Sequence, residues 1–194
     1  MRCRTCALPV AAGQPQCGAC CIDVPPLDAA FAAVSYAYPW SQVVVEFKFQ
    51  QRADWARSMA LLMRSAPWVE PTLEAADLVV PMPLSRQRLQ ERGFNQALLL
   101  ARVLAPGKTQ AQLLLRIQDT PAQSTLSRAA RLRNVQHAFA VDPLQHAVIQ
   151  GKRVVLVDDV MTSGASLGAA ARSVRQAGAA QVTGLVFARA EQGA

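Results

Sequence analysis

Several short runs of the chain are apolar with little alternation, and between them apolar residues recur at helical spacing. "ADLVVPMPLS" (76–85), "AQLLLR" (111–116) and "KRVVLVDD" (152–159) read as buried strands, with "QVTGLVFAR" (181–189) closing the series. "FAAVSYAYP" (31–39) alternates enough to be a further strand. The stretch from "SQVVVEFKF" to "ALLMRSA" (41–66) predicts one or two helices, and "GFNQALLLARVLA" (93–105) predicts one broken at Pro106-Gly107. "SRAARLRNVQHAF" (127–139) reads as a basic helix or ordered loop, and "SLGAAARSVRQAG" (166–178) as a helix with Gly178 as its C-terminal cap. Strands apolar at nearly every position need cover on both faces. Their alternation with helices therefore predicts an α/β fold around a parallel sheet. Ligands of such sheets bind beyond the carboxyl ends of the strands. There, in "VVLVDDVMTSGAS" (154–166), the third strand is expected to end at Val157, just before two aspartates.

Composition supports a packed protein: 52% of the residues are hydrophobic. The net charge is +7, and the segment from Leu84 to Val135 accounts for all of it. It holds Arg86, Arg88, Arg92, Arg102, Lys108, Arg116, Arg128, Arg131 and Arg133 against Glu91 and Asp119. A basic middle implies an anionic partner, either the phosphates of a small molecule or a nucleic-acid backbone. No apolar run approaches the ~18 residues of a membrane span. Cysteines occupy the positions where a signal peptide would be apolar, so a cytoplasmic protein without membrane insertion is expected.

All five cysteines fall in the first 21 residues. Cys3 and Cys6 form one C-x-x-C pair and Cys17 and Cys20 another, with Pro9, Gly13 and Pro15 between them. Two such pairs bring four thiolates around a tetrahedral zinc ion, which would be structural and would supply the folding energy of so small a segment. Cys21 is an alternative to Cys20 as the fourth ligand. "DVPPLD" (23–28) reads as a linker whose prolines hold this finger off the main domain, giving a zinc-finger-like segment over 1–26 and a second domain over 27–194.

Adjacent carboxylates repel unless something binds them. The loop that follows, Met161 to Ser166, is small and rich in hydroxyls, and it opens a helix. Its backbone N–H groups and the helix N-terminus make a monophosphate cradle from Thr162, Ser163, Gly164, Ala165 and Ser166. Asp158 and Asp159 can accept hydrogen bonds from a vicinal diol, and one phosphate with one diol is a ribose 5-phosphate. Competing motifs fail. "GASLG" (164–168) fits a hydrolase nucleophile elbow, but no Asp or His follows Ser166. "GKT" (107–109) lacks the earlier glycine of a phosphate-binding lysine loop, Arg102 standing there, and no G-x-G-x-x-G occurs. His137 and His146 are too isolated to form a metal site.

"VVLVDDVMTSGAS" resembles the phosphoribosyl pyrophosphate motif of type I phosphoribosyltransferases. The wider chain resembles the ComF (competence protein F) family in its cysteine finger, "FKFQQRAD" (47–54), "VVPMPLSRQRLQERGFNQALLLAR" (79–102) and "TPAQSTLSRAARLRNVQHAF" (120–139). The resemblance implies a type I phosphoribosyltransferase fold behind a small N-terminal zinc finger. It implies that Asp158 and Asp159 bind ribose hydroxyls and that residues 162–166 bind the 5′-phosphate. "PMPLS" (81–85) would take pyrophosphate through backbone amides at Pro83, Leu84 and Ser85, often beside a strained peptide bond, with Arg86, Arg88, Arg92 and Lys48 near it and Mg²⁺ on the ligand. Two functions follow: transfer of phosphoribose to a nucleobase or amine, or a competence role in which the finger and basic segment contact single-stranded DNA and the uptake machinery. Arg128, Arg131, Arg133 and Asn134 would belong either to a mobile hood over the ligand or to a nucleic-acid surface.

Overall fold

The computed structural model describes residues 1–118 and 137–191. Its centre is a four-stranded parallel sheet of β1 (Ala29–Ser35), β2 (Leu78–Pro81), β5 (Arg153–Met161) and β6 (Gln181–Arg189), in the spatial order β1-β6-β5-β2. Side chains of β5 alternate between two cores. Val154 and Leu156 pack toward α8 (Ala165–Gln176), while Val155 and Val157 pack toward α2 (Trp40–Phe49), α3 (Trp55–Arg64), α4 (Val69–Ala75) and α6 (Gln96–Leu104). That double cover is why the strands read as continuous apolar runs.

Three elements differ from expectation. The segment 111–116 forms β3 (Leu114–Arg116), but it lies outside the parallel sheet and pairs antiparallel with β4 (Phe139–Val141). A short apolar run carries no direction or partner, so its periodicity could not assign it to a sheet. The third strand does not stop at Val157: parallel pairing with β6 continues through Asp158 to Met161. The Pro-punctuated loop expected after β2 winds within five residues into α5 (Arg86–Arg92), whose first turn Ser85 caps by accepting from the Arg88 N–H at 3.3 Å. Arg128, Arg131, Arg133 and Asn134 lie outside the described residues.

The finger is docked on the sheet. Ala7 is fully buried in the α8-side core, and the Ala30 N–H donates to the Arg4 carbonyl at 2.7 Å. At the end of α8, Gly178 has φ +98, and a Cβ there would meet the Gln150 side chain at 2.3 Å, so the turn requires glycine. Lys108, of the rejected "GKT", has a structural task. Its Nζ donates to the carbonyls of Leu73 at 2.8 Å, Glu74 at 2.9 Å and Ala76 at 2.8 Å, closing the end of α4. Among the described residues no helix is long and apolar enough to cross a membrane.

Lys108→Met strips three carbonyls of their donor. It is expected to lower stability by about 1–2 kcal/mol, a fall of roughly 2–8 °C in Tm, with bound metal unchanged by elemental analysis.

Candidate functional site

Where β5 outlasts β2, its last residues overhang a cleft of about 500 Å³ at the carboxyl edge of the sheet. Asp158, Asp159, Thr162 and Ser166 line it from β5 and the following loop, Pro83 and Leu84 from the end of β2, and Lys48, Arg88 and Arg92 from the helices. Both carboxylates face this cleft and lie close to one another. Asp159, 4% exposed, meets Lys48 Nζ at 2.9 Å. Asp158 turns toward the loop before α8, where it shares a small recess with residues 160–167. Its Oδ1 accepts from the Asp159 N–H at 2.9 Å. Burial first, and the Asp159 charge second, push the Asp158 carboxyl up to about 7 against the opposing pull of Lys48.

The loop folds as its composition demands. Gly164 takes φ +77 at the helix N-cap, and Ser163 Oγ accepts from the Ala165 N–H at 3.3 Å. Ser163, Gly164 and Ala165 line the recess with Asp158, Thr162 and Ser166, at the positive end of the twelve-residue α8. A recess at the start of a long helix beside a carboxylate pair suits a phosphate joined to a diol.

Across the cleft, Asn95 joins two elements: Nδ2 donates to the Met82 carbonyl at 3.0 Å, and Oδ1 caps α6 by accepting from the Leu98 N–H at 3.2 Å. Arg92 packs over the Phe49 ring at 5.3 Å from its centroid and donates to Gln96 Oε1 at 3.0 Å, which points its charge into the cleft. Ser85 is buried with its hydroxyl used as a cap, and Arg86 is exposed on α5 away from the cleft lining. Arg88 and Arg92, rather than Arg86, therefore carry the cationic wall. Among the described residues the cis peptide bond is Tyr38–Pro39, and residues 81–85 contain none.

At the other end of the chain the Sγ atoms of Cys3, Cys6, Cys17 and Cys20 all lie within 4.8 Å of one another. Cys6 and Cys17 approach to 3.6 Å, close to the ~3.8 Å edge of a tetrahedron with ~2.3 Å Zn–S bonds. Cys20 is in the cluster, and Cys21 is exposed outside it. Burial and the neighbouring Cys6 and Cys17 thiols raise the Cys20 pKa, while backbone donors outweigh burial at Cys3 and bring it to about 6. The donor set is compatible with a structural zinc ion. Sequence reasoning missed Arg189, 2% exposed, whose Nε donates to the Cys6 carbonyl at 2.7 Å and whose Nη1 donates to the Met161 carbonyl at 3.0 Å. An arginine closing an apolar strand was the signal available.

Four findings relate the chain to known proteins. A family model described as phosphoribosyl transferase domain matches residues 97–194. DNA utilization protein YhgH of Salmonella typhimurium is 33% identical over 186 residues, covering 93% of this chain and 80% of that protein. Competence protein F of Haemophilus influenzae is 30% identical over 181 residues, covering 90% and 78%. Competence protein ComFC of Bacillus subtilis matches a shorter stretch, 34% over 113 residues, covering 58% and 44%.

Two outcomes are expected. The folded-state pKa of Asp158, about 7, lies above its ordinary value of 3.8, so the stability it contributes is present below about pH 4 and lost as pH rises through 7. Asp158→Asn should therefore raise stability at pH 8 by about 1–2 kcal/mol, roughly 2–8 °C in Tm, and the gain should vanish near pH 4 in thermal melts. Cys20→Ser should lose stoichiometric zinc while Cys21→Ser retains it, as read by a chromogenic chelator assay on purified protein.

Proposed function

The chain belongs to the competence protein F family and carries a phosphoribosyl transferase domain, and from that premise we propose that its cleft binds phosphoribosyl pyrophosphate with Mg²⁺. The observation that carries the reading is convergence: a carboxylate pair, a small recess at the start of α8 and the cations Lys48, Arg88 and Arg92 share one cleft. In this reading Asp158 and Asp159 accept hydrogen bonds from the ribose hydroxyls. Residues 162–166 hold the 5′-phosphate, and Pro83, Leu84 and Ser85 present backbone to the pyrophosphate, with Lys48, Arg88 and Arg92 around it. Carboxylates beside diphosphate oxygens suit a hard divalent cation, which neutralises leaving-group charge when bound.

The chemistry that fits is displacement of pyrophosphate from C1 by a nucleobase or amine. The transition state carries positive charge on the ribose ring, so the nearby carboxylates favour it. The cationic wall favours the departing diphosphate. No side chain needs to form a covalent bond. Positioning and exclusion of water supply the rate.

A second reading, single-stranded DNA binding within the competence machinery, draws on the names of the relatives and on one surface feature. Trp68 is stacked on Phe31 with centroids 6.3 Å apart, and both line a hollow with Arg2 and Arg4 of the finger. Aromatic rings beside cations suit unpaired bases and their phosphates.

Calorimetric titration of the zinc-loaded protein with phosphoribosyl pyrophosphate and Mg²⁺ is expected to give a Kd between about 1 µM and 1 mM, and Asp158→Asn/Asp159→Asn is expected to abolish the heat. A folded wild type that takes up no ligand would remove the first reading. Oligothymidylate binding whose affinity falls with salt and with Trp68→Ala would then favour the second.

A further inference from the structure

Arg189 ends β6 where a cation is costly. It is almost fully buried, and no carboxylate among the described residues lies within ion-pair distance of it. Its guanidinium instead donates to four carbonyls: Nε to Cys6, and Nη1 to Met161, Thr162 and Ala190. Those dipoles satisfy donors but supply no net negative charge. Cys6, whose carbonyl the guanidinium holds, is one of the four clustered thiols, and Cys6, Cys17 and Arg189 line one crevice. A divalent ion in four thiolates carries a net charge of about −2, so the loaded cluster is the counter-ion the guanidinium otherwise lacks.

The other side of the same guanidinium holds the phosphate loop. Met161 ends β5, and Thr162 begins the turn whose residues Gly164 and Ala165 line the recess. Fixing two successive carbonyls fixes the peptide planes that follow. Cys6, Cys17, Met161, Ser163, Gly164 and Arg189 line one crevice of about 140 Å³ between finger and loop.

We propose that Arg189 is a positioning residue coupling the two sites: the metal–thiolate cluster anchors its guanidinium, which in turn holds the Met161 and Thr162 carbonyls and so sets the phosphate recess. The finger is then a control on the cleft as well as a structural clip. Linkage is reciprocal, so a phosphate bound in the recess tightens metal binding by the factor by which metal tightens phosphate binding. The ligand half of this rests on the proposed phosphoribosyl pyrophosphate site, whereas ordering of the loop does not.

The test is hydrogen–deuterium exchange on the full chain, zinc-loaded and chelator-stripped, for wild type and Arg189→Lys. Lysine keeps the charge but has one donor nitrogen, where arginine uses Nε for the Cys6 carbonyl and Nη1 for the loop carbonyls. In wild type, stripping zinc is expected to speed exchange of amides 162–167 about tenfold, while amides of β5 and β6 stay protected. Zinc-loaded Arg189→Lys is expected to hold its metal and already show the faster loop, with no further change on stripping. The proposal is overturned if the stripped wild-type loop is unchanged or if zinc-loaded Arg189→Lys matches wild type. It is also overturned if stripping exposes β5 and β6 together with the loop, since the metal would then hold up the whole fold. Ribose 5-phosphate serves as ligand probe: its affinity should fall about tenfold on stripping in wild type and be insensitive to zinc in Arg189→Lys. If it binds neither form, the proposed ligand fails while the exchange result still decides the coupling.

Discussion

Two carboxylates on consecutive residues of a buried strand are the constraint around which the rest is arranged. Asp158 and Asp159 cannot both be comfortably ionised side by side in one cleft, and the fold answers by pairing one of them with a cation. Asp159 receives Lys48 from α2, and Asp158 is left facing the recess with its carboxyl pushed up to about 7. A strand whose only task was to fill a core would not end this way. The pair is held in place because β5 is pinned between β6 and β2 and both its faces are covered.

From that strand end the other parts follow by geometry. β5 runs four residues past its pairing with β2, leaving a step beside the ends of β2 and α5. Asn95 ties the step to the start of α6, and Gln96 with Phe49 aims Arg92 into it. Cations therefore gather opposite the carboxylates without pairing with them, apart from Lys48, and the cleft is charged on both walls. A ligand carrying phosphates and hydroxyls is the kind of molecule that satisfies both.

The finger has a different logic. Its thiols bury little apolar surface, and in the reading proposed here a metal holds them together. Besides the buried Ala7, what joins it to the sheet is polar: the Ala30–Arg4 backbone bond and Arg189. A polar joint of this kind transmits position, because a guanidinium spanning four carbonyls has few alternative arrangements.

The sequence by itself determined the class of fold and the composition of the site. Unbroken apolar runs specify a doubly covered parallel sheet. Two C-x-x-C pairs specify a four-thiol cluster compatible with a metal, and "VVLVDDVMTSGAS" specifies a carboxylate pair followed by a small hydroxyl-rich loop, since each rests largely on local chemistry. Partnership was decided only in the tertiary structure. That 111–116 pairs antiparallel with residues 139–141, that Cys20 rather than Cys21 joins the cluster, that Arg88 and Arg92 face the cleft while Arg86 does not, and that Arg189 binds finger to loop all depend on where distant segments meet. A strand's pairing edge, a helix's rotation and the reach of a buried guanidinium are set by long-range packing, and no window of sequence contains them.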